Sequence, residues 1–158
     1  MTLRDEFKSM IPGAETDALS ERALLLEEFL AQQHQAGNLQ LNLKSISARR
    51  AIVHGHCHQK AFATMSAMQQ ALALVPDLEV EVIDSGCCGM AGAFGYEASH
   101  LEVSMKMAEL SLLPAVRAAD LDTLVIANGT SCRHQIYDGA QRESLHLACV
   151  LQSALGDS

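Results

Sequence analysis

Three short apolar runs stand out along the second part of the chain: Ala51-Ile52-Val53, Glu79-Val80-Glu81-Val82-Ile83 and Thr123-Leu124-Val125-Ile126-Ala127. Each is strand-sized and is followed at once by a histidine, aspartate or asparagine. The intervening stretches have helical spacing. A helix is predicted over 59–75, with Phe62, Met65, Leu72 and Val75 on one side, and a second over 97–113, interrupted near Pro114. A last helix is predicted over 144–155. Upstream, Thr16-Asp17-Ala18-Leu19-Ser20 leads into a predicted helix over 21–34, with Leu24, Leu25, Leu26, Phe29 and Leu30 at helical spacing and Gly37 and Asn38 as stop residues. Leu39, Leu41 and Leu43 alternate with polar residues, as in a short strand or extended segment.

Strands alternating with helices predict an α/β fold: a parallel sheet with flanking helices. The division expected is a helical lead-in over 1–45 and one α/β domain over 46–158. In a parallel sheet all strand C-termini share one edge, and sites form there. That edge collects the sulfur. Cys57 follows the first strand in His54-Gly55-His56-Cys57-His58. Cys87 and Cys88 follow the second in Asp84-Ser85-Gly86-Cys87-Cys88-Gly89. Cys132 follows the third in Asn128-Gly129-Thr130-Ser131-Cys132. Three separate strand ends thus deliver thiols to one place.

Composition narrows the chemistry. Of 158 residues, 49% are apolar but only 4% aromatic, so the core must be aliphatic. The net charge of −8 makes polyanions, nucleic acid included, poor partners. No apolar run is long enough for a membrane span, and MTLRDEFKSM lacks the basic start and apolar stretch of a signal peptide, which points to the cytoplasm. In that reducing compartment an odd number of cysteines, five, does not make a disulfide framework.

The thiolate is the ligand and the nucleophile, and a helix start after each cysteine element favours it. Ser131 or Thr130 is the expected cap of the turn that carries Cys132. Adjacent cysteines normally point apart, so aiming Cys87 and Cys88 at one centre requires a kink, which Gly86 and Gly89 permit. Cys57, Cys87, Cys88 and Cys132 together suit a [4Fe–4S] cluster or tetrahedral zinc. His54, His56 and His58 flank Cys57, and His134 follows Cys132; any of them can replace a sulfur on zinc or donate to one from behind. The plainer readings apply elsewhere. Cys149, inside an apolar run, reads as core filler, as do Met65, Met68, Met105 and Met107. His34, His100 and His146 read as surface or packing residues. Glu27-Glu28 reads as a solvated helix face.

The cysteine pattern resembles the CCG, or cysteine-rich, domain of heterodisulfide reductases, glycolate oxidase iron–sulfur subunits and related dehydrogenase subunits. Three phrases carry it, His54 to Lys60, Asp84 to Gly92 and Asn128 to Gln135. They look closest to the C-terminal iron–sulfur module of large FAD-linked oxidases of D-2-hydroxy acids. The resemblance implies an iron–sulfur electron-transfer module, with FAD in a partner domain and a ferredoxin-like segment or a second cysteine-rich repeat as further partners. It also implies a C-terminal piece of a longer protein, without dehydrogenase activity of its own, in the cytoplasm or held peripherally at the inner membrane by partners. The fullest family motif ends in Cys-x-x-Cys. Here Arg133, His134 and Gln135 follow Cys132, which leaves four cysteines for an ordinary cluster or zinc. Two other expectations stand beside this one: a structural zinc module for assembly, and thiol–disulfide chemistry at Cys87-Cys88.

Overall fold

The computed structural model describes residues 2–156. The chain divides into two compact units between Gln40 and Leu41.

Among the described residues the first unit holds a 3-10 turn (Thr2–Arg4) and three α-helices, α1 (Glu6–Met10), α2 (Ala14–Arg22) and α3 (Leu26–Gln35). The single helix expected over 21–34 is two helices, separated by extended backbone at Ala23 and Leu25. The cause is local. Glu28 accepts the Leu25 backbone N–H at 2.8 Å, so its carboxylate starts a new helix where the old one would have continued. The same carboxylate takes both guanidinium nitrogens of Arg4, at 2.9 and 3.0 Å. Glu27 is 2% exposed. Glu27-Glu28 is therefore not a solvated face. Leu24, Leu26 and Phe29 are exposed, and Leu30 and Ala31 carry the burial.

The second unit is the α/β domain. Three parallel strands, β1 (Arg50–His54), β2 (Glu79–Val82) and β3 (Leu124–Ala127), lie in the order β2-β1-β3. Ala51 pairs with Val80 on one side and Leu124 on the other, and His54 pairs with Ala127. β1 is central and buried from Ala51 to His54. The chain runs from β1 out to β2, then back across to β3. The strand order therefore reverses beside β1, and the crevice at such a reversal is the usual ligand site of an open parallel sheet.

The helices are shorter and more numerous than the apolar spacing suggests. The 59–75 stretch is α4 (Cys57–Ala61) and α5 (Met65–Leu72), broken where Ala63 takes a φ of 54°. Phe62 ends on the surface as a result, while Leu72, Met68 and Val75 are buried. The 97–113 stretch is α6 (Leu101–Glu109) and α7 (Leu112–Ala118). Pro114 does not stop a helix. It sits in the first turn of α7, where the missing N–H is tolerated. α8 (Thr130–Ala140) follows β3, and α9 (Leu147–Ala154) closes the unit. Leu39 and Leu41 join no strand among the described residues, and Leu43 makes one isolated bridge to Leu155. The core joins Ile52 and Val125 of the sheet, and Ile83 just past β2, to Leu112, Val116 and Ile136 of the helices, and Cys88 and Cys132 belong to it.

Candidate metal centre

Each sulfur reaches the reversal edge by its own device. Past β1, His56 caps α4: its backbone N–H donates to Gln59 Oε1 at 2.9 Å, and its Nδ1 accepts the His58 N–H at 3.3 Å. That tight start holds Cys57 in the first turn, above the end of the strand. Past β3, Gly129 caps α8 without a side-chain bond, so neither Thr130 nor Ser131 acts as the cap. Glycine is required there for space. A Cβ on Gly129 would meet His56 Cδ2 at 2.6 Å and Cys132 Sγ at 3.0 Å. Cys132 stands in the first turn of α8 and is fully buried.

The Cys87-Cys88 loop has no regular structure to hold it, and two contacts do so instead. Gly89 has a φ of +88°, and its Cα lies so close to α6 that a Cβ would meet Ser104 Cα and C at 2.9 Å. Gln135, 1% exposed, reaches from α8 with one amide nitrogen to Cys88 O at 2.9 Å, Ser104 O at 3.0 Å and Ser104 Oγ at 2.9 Å. Gly86, expected to share the kink, has no left-handed backbone and open space around it. Lys60 Nζ anchors the other end of the loop through Ser85 O and Gly86 O.

The result brings sulfur to sulfur. Cys88 and Cys132 Sγ lie 3.2 Å apart, too far for a disulfide and close enough for a thiol–thiolate hydrogen bond. Cys57 stands close enough to Cys87 for that side chain to hold its thiol up. The Gly89 N–H donates to Cys87 Sγ at 3.3 Å, the kind of backbone bond that tunes a metal-bound sulfur. A histidine joins the buried pair. His54, the last residue of β1 and 1% exposed, offers a ring nitrogen that lies with Cys88 and Cys132 Sγ in a group no more than 4.8 Å across.

The electrostatics follow from this crowding. The hydrogen bond from Cys132 is the main force drawing the Cys88 thiol far below its ordinary range, with the His54 ring and the Met90 backbone adding to it. Cys132 is pushed up in turn by that bond, by burial and by the other thiols, so the pair shares one proton. Burial, then Cys87, raises Cys57 to about 11, while Lys60 acts in the opposite sense. Cys57 and Cys132 are each raised by charge on the other cysteines. Cys57 and Cys132, whose ionisation the neighbouring sulfurs oppose, are thiols that a bound cation relieves.

The other sequence candidates lie as follows. The His56 ring is 5.2 Å from that of His58, and burial, then His58, lowers its basicity. His58 is exposed. His134 Nδ1 is bonded to the Tyr96 hydroxyl at 2.7 Å and lines a cavity of about 440 Å³ with Arg133 and Tyr137. Cys149 is exposed on α9, not core filler, because the buried stripe of that helix is Leu147, Val150, Leu151 and Ala154. Met68 is buried, and Met107 is exposed. Sequence reasoning gave His54 no more weight than its neighbours. Its position as the final residue of an uninterrupted buried strand was the available signal. Gln135 and Ser104 carried none.

The donor set, four cysteines and a buried imidazole, fits a thiophilic metal or an iron–sulfur cluster. Comparison with known proteins gives a context. The chain is 31% identical over 134 residues to the D-2-hydroxyglutarate dehydrogenase of Pantoea ananatis, a match covering 84% of this chain and 12% of that protein. It is 35% identical over 102 residues to the same-named enzyme of Pseudomonas putida, covering 63% of this chain and 10% of that one. It is 26% identical over 153 residues to a subunit of the anaerobic glycerol-3-phosphate dehydrogenase of Escherichia coli, covering 97% of this chain and 37% of that polypeptide. The chain thus corresponds to a small part of proteins named as dehydrogenases or their subunits. No protein-family model matches the chain, and no solved structure does. Among the described residues no helix is long and apolar enough to cross a membrane.

Proposed function

We propose that this chain is the iron–sulfur electron-transfer module of an FAD-linked 2-hydroxy-acid oxidoreductase, with a [4Fe–4S] cluster held by Cys57, Cys87, Cys88 and Cys132. The observation that carries the reading is the approach of four thiols from three strand ends, with Cys88 and Cys132 Sγ 3.2 Å apart and Cys57 and Cys87 near enough to act on the Cys132 thiol. A cluster there supplies one-electron transfer between a flavin and an acceptor. The chain's own residues supply the surroundings. Gly129 opens space beside Cys132, the Gly89 N–H donates to Cys87, and Gln135 fixes the loop. The flavin domain, and a ferredoxin-like segment or second cysteine-rich repeat, are the proposed partners. The substrate site lies in them, and this chain alone has no dehydrogenase activity. The module is cytoplasmic, and any membrane contact is made through partners.

The test is iron and acid-labile sulfide analysis after anaerobic reconstitution, with an electron paramagnetic resonance spectrum of the reduced protein. The expected content is about four irons and four sulfides per chain. A protein that takes up neither overturns the reading. A second reading, a structural zinc module, draws on one observation, the buried His54 beside Cys88 and Cys132. It predicts about one zinc, no sulfide and unfolding on chelation.

A further inference from the structure

α8 has two faces. Cys132, Gln135 and Ile136 are buried on one of them. Arg133, His134, Tyr137 and Asp138, one and four positions apart, share the other. With Tyr96 and Glu143 they line a cavity of about 440 Å³ that the metal chemistry leaves unused. The chain has two tyrosines, and both are here, half-exposed. Tyr96 is held in place by His134: its hydroxyl is bonded to Nδ1 at 2.7 Å, and the rings meet edge to face with centroids 5.9 Å apart.

The charges of the cavity are unequally committed. The Arg133 guanidinium is spent on the fold, donating to Ala127 O at 3.0 Å, Asn128 O at 2.9 Å and Thr130 Oγ1 at 3.3 Å. Asp138 and Glu143 are exposed and make no ion pair among the described residues. Two open carboxylates beside tyrosine rings are a receptor for an organic cation. A guanidinium meets both features, because it stacks on a ring and forks onto a carboxylate.

We propose that this cavity is the docking point of a partner protein, which lays an arginine side chain over Tyr137 and against Asp138 and Glu143. Charge complementarity selects the occupant. The chain carries a net charge of −8, so a basic surface is attracted and an acidic one repelled. Arginine and tyrosine are also the residue types that anchor interfaces. The volume is that of a ligand cleft, enough for one such side chain and the backbone that carries it. A partner seated there stands across a single helix, about 10–12 Å thick, from Cys132. The inference rests on the electron-transfer reading for the purpose of the docking, but the arginine site is independent of any metal.

The probe is a capped Gly-Arg-Gly peptide, titrated into the whole chain at low salt and followed by the tyrosine ring resonances in NMR spectra. Both tyrosines line the cavity, so every tyrosine signal reports it. A saturable one-site shift in the millimolar range is expected, the same in metal-free and reconstituted protein. Raising salt from about 0.05 to about 0.5 M is expected to weaken it about threefold or more. Asp138→Asn with Glu143→Gln is expected to weaken binding about threefold or more. Tyr137→Ala is expected to weaken it about threefold, and Tyr137→Phe, which keeps the ring, to leave it nearly unchanged. Circular dichroism checks each fold, and the exposed carboxylate pair decides if Tyr137→Ala fails to fold. Absence of a saturable shift overturns the proposal, as does an equal shift from Gly-Glu-Gly or unchanged affinity in the carboxylate variant. Free ethylguanidine binding more tightly than the peptide overturns it too, because the occupant is then a small cation. So does a dimer in sedimentation that the carboxylate variant abolishes, because the occupant is then a second copy. Failure of the electron-transfer reading registers separately, as absent iron and sulfide with peptide binding intact.

Discussion

Replacing Gly89 by alanine is the sharpest perturbation of the cysteine loop. At a φ of +88° an L side chain costs roughly 1–2 kcal/mol before any contact is made. The added Cβ also falls within the van der Waals shell of the Ser104 backbone, with Cα and C at 2.9 Å. α6 is anchored by its own ladder, so the loop is what moves. Moving it draws Cys88 O away from the Gln135 amide, a buried bond worth about 1 kcal/mol. The sum is about 2–3 kcal/mol, or roughly 4–12 °C in Tm for a chain of this length. Thermal melting of the reduced apoprotein, followed by tyrosine fluorescence, measures it. The chain has no tryptophan, and both tyrosines, Tyr96 and Tyr137, lie in the α/β unit, so the signal reports that unit alone. Gly92→Ala is the control. It has a φ of +64° with nothing within 4 Å, so it carries the backbone strain without the collision. The same displacement carries Cys88 Sγ away from Cys132, so Gly89→Ala is expected to lose metal uptake where Gly92→Ala keeps it. A Gly89→Ala protein that melts with the Gly92→Ala protein and still loads metal would falsify the claim that close docking on α6 sets the loop.

Other changes test other contacts. Gln135→Leu leaves the carbonyl of Cys88 without its amide partner, and a loss of about 1–3 kcal/mol is expected in denaturant titration; a loss under about 0.5 kcal/mol means the amide is not the clamp described. Lys60→Gln removes the cation that lowers the Cys57 thiol and releases Ser85 O and Gly86 O. The Cys57 thiol is expected to move above about 11, and its alkylation rate at fixed alkaline pH to fall; an unchanged rate in a Cys149→Ser background refutes the assignment. In the metal-loaded protein a thiol reagent is expected to modify Cys149 alone, because it is the exposed cysteine outside the centre, and prompt modification of Cys57 or Cys87 as well argues against their ligation.

Much of this architecture is legible from residue order. The alternation of short apolar runs and helical spacing determines a parallel α/β sheet, because a strand buried on both faces needs an unbroken apolar run and a crossover needs a helix. The same order puts each cysteine element just beyond a strand, and so at one edge. Residue order did not reveal how the helices break. Leu25 and Ala63 lie in stretches whose local spacing is helical, and the breaks come from the Glu28 cap at Leu25 and the left-handed backbone at Ala63.

The inner chemistry of the centre belongs to tertiary structure. His54, His56 and His58 are equivalent as letters two residues apart, yet only His54 is still in β1, so only its ring is driven into the core beside Cys88 and Cys132. Cys149 sits in the most apolar segment and is exposed, since burial on a helix follows its face and not its neighbours in sequence. Glu27 and Glu28 look like solvent-facing charges until Arg4, 24 residues before Glu28, is brought to meet the second of them. Sequence determined which residue types reach the edge. Packing decided which of them face one another, because a contact at a distance of ångströms between residues dozens of positions apart has no local signature.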